Sequence, residues 1–87
     1  MLFRQLFDQD SSTYTYLLAD EASRQALIID PVLEQIERDS ALVEELELEL
    51  VWALDTHVHA DHVTALGQLN QRFKARTVLA VRVGPVF

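Results

Sequence analysis

The sequence predicts an α/β (α+β) domain with its elements in the order β-β-β-α-β-α-β. Before position 30, short runs of β-forming side chains alternate with polar turns, and after it two stretches carry apolar residues at helical spacing. Apolar residues make up 49% of the 87-residue chain, which argues against disorder. The length fits one small domain or part of a larger one.

Three short strands are predicted first. Leu2–Phe7 is compatible with a strand or a helical turn, whereas Ser12–Ala19 alternates small polar residues with tyrosines and indicates a strand. Ala26–Asp30 is an apolar run of strand length. The polar segments between them, Asp8–Ser12 and Asp20–Gln25, are rich in turn-forming residues, so we expect an antiparallel β-meander.

A helix is predicted next, over residues 32–46. Asp30 is a suitable N-cap and Pro31 fits the first turn, where its missing N–H costs nothing. The apolar stripe of this helix consists of Val32, Ile36, Val43 and Leu46. Its end is not defined by the sequence, because Glu45–Leu50 alternates with period two and has no glycine.

The remaining elements are a strand, a helix and a strand. Leu50–Thr56 is mostly apolar and is predicted to be buried on both faces. A second amphipathic helix is expected over about Thr64–Lys74, followed by a strand at Thr77–Val81. Its apolar positions are Val63, Leu66, Leu69 and Phe73, and the aromatic residues Tyr14, Tyr16 and Trp52 are expected to pack in the core rather than line a pocket.

Charge and composition exclude several classes of function. A net charge of −7 argues against nucleic acid or an anionic membrane as a partner, since both require a basic surface. The absence of cysteine excludes disulfides and cysteine-based metal sites. The N-terminal residues contain no long apolar run of the kind found in signal peptides, so we expect a cytoplasmic protein.

All three histidines of the chain lie within the stretch "DTHVHADH", residues 55–62. In extended backbone, His57 and His59 lie on the same side and can share one metal ion. Asp61 and His62 follow as the chain turns into the next helix, so they can bind at a second point nearby. Imidazole and carboxylate suit zinc, iron or manganese, and paired metals are a common device for activating water.

These residues also have interpretations without a metal, since a lone histidine is usually a surface or capping residue. Asp61 could cap a helix beginning near Thr64. Asp55 and Thr56 could orient a ligand imidazole through a hydrogen bond, but turn chemistry explains them equally well. Three histidines and an aspartate within six residues, with no histidine elsewhere, are better explained by metal binding.

The stretch "THVHADH" matches the H-x-H-x-D-H signature of the metallo-β-lactamase superfamily. With "FRQLFD", "SSTYTYLLAD" and "LIIDPVLEQIERD" upstream, the chain resembles the N-terminal part of the persulfide dioxygenases (sulfur dioxygenases, ETHE-type), which are close to the hydroxyacylglutathione hydrolases. The resemblance covers about residues 2–80 and leaves a divergent tail at 81–87. It implies the N-terminal half of an αββα sandwich, so we expect residues 1–87 to form one truncated domain.

The resemblance also implies the chemistry of the motif. In the hydrolase branch, His57 and His59 would bind one Zn(II), and Asp61 and His62 a second. In the dioxygenase branch a single Fe(II) is used, and His57 alone of these four would bind it directly, with a histidine and an aspartate supplied downstream. The substrate would be a glutathione-linked small molecule, and Asp61 is the candidate catalytic residue.

Two residues depart from the family pattern, since Ala65 and Glu47 stand where the family commonly has glycine. Without the second sheet of the sandwich, an apolar face would be exposed and could form a homodimer. With only two candidate ligands for each metal position, we expect weak binding of a divalent metal and no turnover by the isolated chain. The competing hypothesis is a non-catalytic remnant or interaction module.

Overall fold

The computed structural model describes residues 1–56 and 60–79, and places the side chains of residues 1–56 and 65–78. Its centre is a five-stranded sheet in which the spatial order of the strands is their order in the chain. The strands are β1 (Leu2–Asp8), β2 (Thr13–Ala19), β3 (Gln25–Ile29), β4 (Glu49–Asp55) and β5 (Arg76–Leu79).

The sheet is mixed. β1, β2 and β3 pair antiparallel as consecutive hairpins, which confirms the predicted meander and shows that the first segment is a strand. β3, β4 and β5 pair parallel. Parallel neighbours need a crossover connection, and the two helices α1 (Ile36–Glu45) and α2 (Ala60–Phe73) provide one each. The predicted α+β class and element order are therefore confirmed.

Both helices begin at residues other than those predicted. The first predicted helix, residues 32–46, is a 3₁₀ turn at Leu33–Gln35 followed by α1, which has Gln35 as N-cap. Asp30 caps neither of them, because its carboxylate is bonded elsewhere. α2 begins at Ala60 instead of Thr64, so Asp61 lies inside the helix and cannot cap a helix that starts later.

Both helices cover one face of the sheet and form the core there. The sheet contributes Leu17, Ile28, Leu50 and Ala53, and the helices contribute Ile36, Val43, Ala65, Leu66 and Leu69. Leu66 and Leu69 are buried and Phe73 is partly buried, which confirms these positions of the predicted apolar stripe of α2, while the side chain of Val63 lies outside the described set. Ala65, in place of glycine, is fully buried and packs into the core.

The other face of the sheet carries no covering layer among the described residues. We call it the open face. The strand register assigns to it residues 3, 5, 7, 14, 16, 18, 25, 27, 29, 52, 54, 76 and 78. Trp52 is 38% exposed and Tyr14 48%, so the predictions that Leu50–Thr56 is buried on both faces and that these rings pack in the core are wrong.

Within the described part of the chain, no helix is long and apolar enough to cross a membrane. The cytoplasmic location stays a prediction.

Candidate metal centre

The histidine motif follows the end of β4, at the edge where the parallel strands β3, β4 and β5 all end. In α/β sheets this edge is the usual location of ligand sites. His57 and His59 lie outside the described residues. Asp61 and His62 lie in the first turn of α2, although their side chains are outside the described set. The backbone thus confines all four predicted ligands to a short connection and a single helical turn.

A carboxylate from the neighbouring strand fixes the residue just before this connection. Asp30, directly after β3, accepts a hydrogen bond from the Thr56 backbone N–H at Oδ1 and another from the Thr56 hydroxyl at Oδ2, both 2.6 Å long. Asp30 is 7% exposed and Thr56 is exposed, so these bonds are part-buried and are formed by a carboxylate that is largely shielded from water. They anchor the chain one residue before His57.

The backbone of Asp30 is held as firmly as its side chain. Its N–H donates to the carbonyl of Leu54 over 2.8 Å, and its carbonyl accepts the hydroxyl of the fully buried Thr15 over 2.7 Å. Asp30 also has a φ of 57°, a left-handed conformation that aspartate tolerates better than most residues. Asp30 therefore links β2, β3 and β4 at the edge that carries the motif.

A second polar cluster lies at the same edge, where β1 ends. Asp8 is buried and accepts hydrogen bonds from the backbone N–H and hydroxyl of Ser11 and from the side-chain amide of Gln35. The bonds from Gln35 and Ser11 hold the pKa of the Asp8 carboxyl below its ordinary value. The sequence predicts only a turn at Asp8. Its link to Gln35, 27 residues away, has no local signal.

A buried carboxylate on α1 adjoins this cluster. Asp39 is 1% exposed and pairs with the Arg38 guanidinium over 3.0 Å, while Arg38 also donates to the carbonyl of Phe7. Burial raises the pKa of the Asp39 carboxyl, and the hydrogen bond from Arg38 opposes this. No partner for Asp39 Oδ2 or for the buried hydroxyl of Ser40 is found among the described residues.

The two polar residues at the end of β4 differ in their surroundings. Asp55 is 1% exposed, on the helix-covered face, whereas Thr56 is exposed and donates to Asp30. The role of either residue in orienting a ligand imidazole stays a prediction. Among the described side chains no three histidine, aspartate or glutamate residues group as a metal site. The candidate donors are those of the motif, and three imidazoles and a carboxylate fit a divalent transition metal.

Comparison with known proteins identifies the family. Residues 8–87 match the metallo-beta-lactamase superfamily. The chain belongs to that superfamily.

Within it, the sequence is 56% identical over 70 residues to the mitochondrial persulfide dioxygenase ETHE1 of Bos taurus, covering 80% of this chain and 28% of the relative. The crystal structure of ETHE1 from Myxococcus xanthus superposes with a TM-score of 0.85 at 58% identity, over 99% of this chain and 38% of that one. A beta-lactamase hydrolase-like protein of Xylella fastidiosa is 36% identical over 91 residues, 92% of this chain and 21% of that protein.

This member of the superfamily spans less than two fifths of the relatives it matches. The similarity includes the sheet, both crossover helices and the segment that bears the motif, because the structural match extends over 99% of the chain. The family assignment and the α+β fold agree with the expectation from the sequence.

Proposed function

We propose that this chain is the ligand-bearing N-terminal part of a persulfide dioxygenase-type protein, acting on a glutathione-linked persulfide. The observation that carries the proposal is the 58% identity to ETHE1 of Myxococcus xanthus across nearly the whole chain. The position of the motif supports it, since β4 and α2 flank the motif at the ligand-binding edge of the sheet.

Each motif residue has a role in this proposal. His57 would bind Fe(II) directly, and His59, Asp61 and His62 would be groups of the surrounding pocket, with Asp61 as the candidate catalytic residue. Iron, when bound, supplies the redox chemistry that joins oxygen to a persulfide sulfur. Asp30 and Thr56 are positioning residues, because their two 2.6 Å bonds fix the backbone next to His57.

The number of metal ligands available in the motif predicts the metal affinity and activity of the isolated chain. A non-haem iron site of this type uses two histidines and a carboxylate, and the resemblance to the dioxygenases assigns only His57 of the motif to the iron. We expect the isolated chain to bind a divalent metal weakly and to show no turnover. Activity then depends on ligands contributed by another polypeptide segment.

A metallohydrolase acting on a glutathione thioester is the second candidate function. The similarity to a protein of Xylella fastidiosa named as hydrolase-like favours it. Here His57 and His59 bind one Zn(II), and Asp61 and His62 a second. A non-catalytic remnant remains the third hypothesis, in which the fold persists without activity.

A chimera separates these hypotheses. The matched N-terminal part of the Myxococcus xanthus ETHE1 protein is replaced by this chain, and the purified chimera is loaded with Fe(II) or Zn(II). We expect oxygen uptake on glutathione persulfide with iron, and loss of that uptake in His57→Ala. Thioester hydrolysis with zinc and no oxygen uptake would favour the hydrolase. A folded, metal-bound chimera without either activity would support the remnant.

A matched control keeps the chimera experiment interpretable. Glu45→Ala changes an exposed residue at the end of α1, at the opposite edge of the sheet, and should leave oxygen uptake unchanged. If His57→Ala and Glu45→Ala reduced uptake equally, the loss would reflect folding, and the assignment of His57 as a ligand would be contradicted.

A further inference from the structure

Thr15 is the polar exception in a buried row of β2. Thr15, Leu17 and Ala19 alternate along the strand on the helix-covered face of the sheet, and all three are buried. Valine has nearly the same shape as threonine without the polar atom, and a buried hydroxyl that lacks a partner is costly. The hydroxyl at this position is therefore explained by the hydrogen bond that it makes.

That hydrogen bond is made to the main chain of Asp30. The hydroxyl of Thr15 donates to the Asp30 carbonyl over 2.7 Å, in a buried setting. The backbone pairing between β2 and β3 ends at Tyr16 and Ile29, one residue before Thr15 and Asp30 would face each other. The side chain of Thr15 thus continues the connection between the two strands beyond the end of their backbone ladder.

Asp30 needs such a constraint, because its backbone is strained. Its φ of 57° lies in a region that few residues other than glycine occupy, and the proline that follows restricts its backbone further. A strained residue keeps its conformation only where the surrounding structure determines it, and such residues cluster at functional sites. At Asp30, the Thr15 hydroxyl holds the carbonyl and the Leu54 carbonyl holds the N–H over 2.8 Å.

The position of the Asp30 carboxylate follows from this backbone conformation. Its two oxygens accept the N–H and the hydroxyl of Thr56, each over 2.6 Å. A change in the backbone of Asp30 would move the carboxylate away from Thr56, the residue that directly precedes His57. A chain of contacts therefore runs from β2, through Asp30, to the start of the segment that bears the predicted metal ligands.

We propose that Thr15 is a further positioning residue of the histidine motif, acting through Asp30. Its hydroxyl fixes the backbone of Asp30, and the Asp30 carboxylate in turn fixes the backbone at Thr56. Because β3 separates β2 from β4 in the sheet, Thr15 acts on the motif from two strands away. The effect on metal binding rests on the proposed function, whereas the link from Thr15 to Thr56 does not.

Two substitutions separate the hydroxyl of Thr15 from the rest of its side chain. Thr15→Val keeps the shape and removes the hydroxyl, whereas Thr15→Ser keeps the hydroxyl and removes the methyl group. Val43→Ala is the matched control, since it truncates a buried core residue near the end of α1 that leads into β4. This control destabilises the fold by leaving a cavity, without removing a hydrogen bond of Asp30.

Hydrogen exchange of the Thr56 amide, followed by NMR on the metal-free chain, measures the link to Thr15. In each variant the change in this rate is compared with the mean change over the strand amides. We expect Thr15→Val to raise the Thr56 rate about three- to tenfold above that mean, as for the loss of one hydrogen bond. Thr15→Ser and Val43→Ala should leave it at the mean. No selective rise in Thr15→Val, or an equal rise in Val43→Ala, would overturn the proposal.

Titration of the same proteins with Zn(II) measures the consequence for metal binding. The Kd of Thr15→Val should rise about three- to tenfold, because a displaced backbone at Thr56 misaligns the ligands that follow it. The Kd values of Thr15→Ser and Val43→Ala should be unchanged. A faster Thr56 exchange with an unchanged Kd would overturn the positioning of the motif by Thr15. A chain that bound no Zn(II) would contradict the proposed function instead, and the Thr56 exchange rate would still decide whether Thr15 acts through Asp30.

Discussion

One carboxylate, that of Asp30, ties the strand end before the histidine motif to the adjacent strand. Removing it takes away the carboxylate oxygens that accept two part-buried hydrogen bonds from the Thr56 N–H and hydroxyl. We expect Asp30→Ala to lower the free energy of unfolding by about 2–4 kcal/mol, since hydrogen bonds to charged groups contribute about 1.5–3 kcal/mol each. Urea unfolding followed by Trp52 fluorescence measures the change.

Asp30→Asn separates the geometry of this anchor from its charge. The amide retains an oxygen acceptor for the Thr56 N–H, so we expect a smaller loss than for alanine. Asparagine also tolerates the left-handed backbone at this position, where φ is 57°. If both substitutions cost no more than Glu45→Ala, the anchoring role of Asp30 would be wrong.

Asp8 and Asp39 predict opposite pH dependences of stability. Hydrogen bonds from Gln35 and Ser11 lower the pKa of Asp8, so its contribution is present above the unfolded pKa of about 4 and is lost as the pH falls through the folded value. Burial raises the pKa of Asp39, so its contribution is present below about 4 and is lost as the pH rises through the folded value.

The two asparagine variants test these signs by thermal unfolding between acid and neutral pH. The measured quantity is the difference in melting temperature between each variant and the unsubstituted chain. As the pH rises, this difference should shift in favour of the variant for Asp39→Asn and against the variant for Asp8→Asn. If this difference changed with pH in the same direction for both variants, the opposite pKa shifts assigned to Asp8 and Asp39 would be contradicted. Protein concentration is kept the same for the three proteins.

At the scale of elements, the end of α1 is a Schellman turn completed by a non-glycine residue. The N–H of Leu48 donates to the carbonyl of Val43 and that of Glu47 to Glu44, both over 3.0 Å. Glu47 therefore takes a left-handed conformation with a φ of 56°. An L-residue pays about 1–2 kcal/mol for that conformation, whereas glycine adopts it freely.

The substitution Glu47→Gly should therefore stabilise the chain. We expect a gain of about 1 kcal/mol in the free energy of unfolding, because the relief of backbone strain exceeds the extra entropy of glycine in the unfolded chain. Glu44→Gly, an exposed position within α1, should cost about 1 kcal/mol instead. The urea midpoints of both variants measure these changes. If both midpoints shifted in the same direction, the backbone strain assigned to Glu47 would be contradicted.

Element types were predictable from the sequence, and helix starts were not. Apolar spacing identified both helices, and alternation identified the meander. Asp30 has the chemistry of an N-cap, but its carboxylate bonds Thr56, the residue directly after β4 and 26 positions away, an alternative that local sequence does not reveal. α2 begins at Ala60 because the motif residues themselves enter its first turn, which the apolar pattern from Val63 onward does not mark.

For the whole molecule, the sequence predicted the exposed sheet face only through the family resemblance. The apolar residues of β4 are compatible with burial on both faces, and only the strand register assigns Trp52 and Leu54 to the open face. The site was predictable as a motif, since all three histidines lie within six residues of the sequence. The Asp30–Thr56 anchor and the Asp8–Gln35 contact at the same edge were not predictable, because they join distant segments.

The central claim is that the histidine motif at the carboxyl edge of the sheet binds a divalent metal. Isothermal titration of the chain with Zn(II), and anaerobically with Fe(II), against the double variant His57→Ala/His59→Ala tests it most directly. We predict saturable binding with a Kd of about micromolar or weaker, abolished in the double variant and unchanged in Glu45→Ala. Absence of binding, or equal binding by the double variant, would contradict the claim.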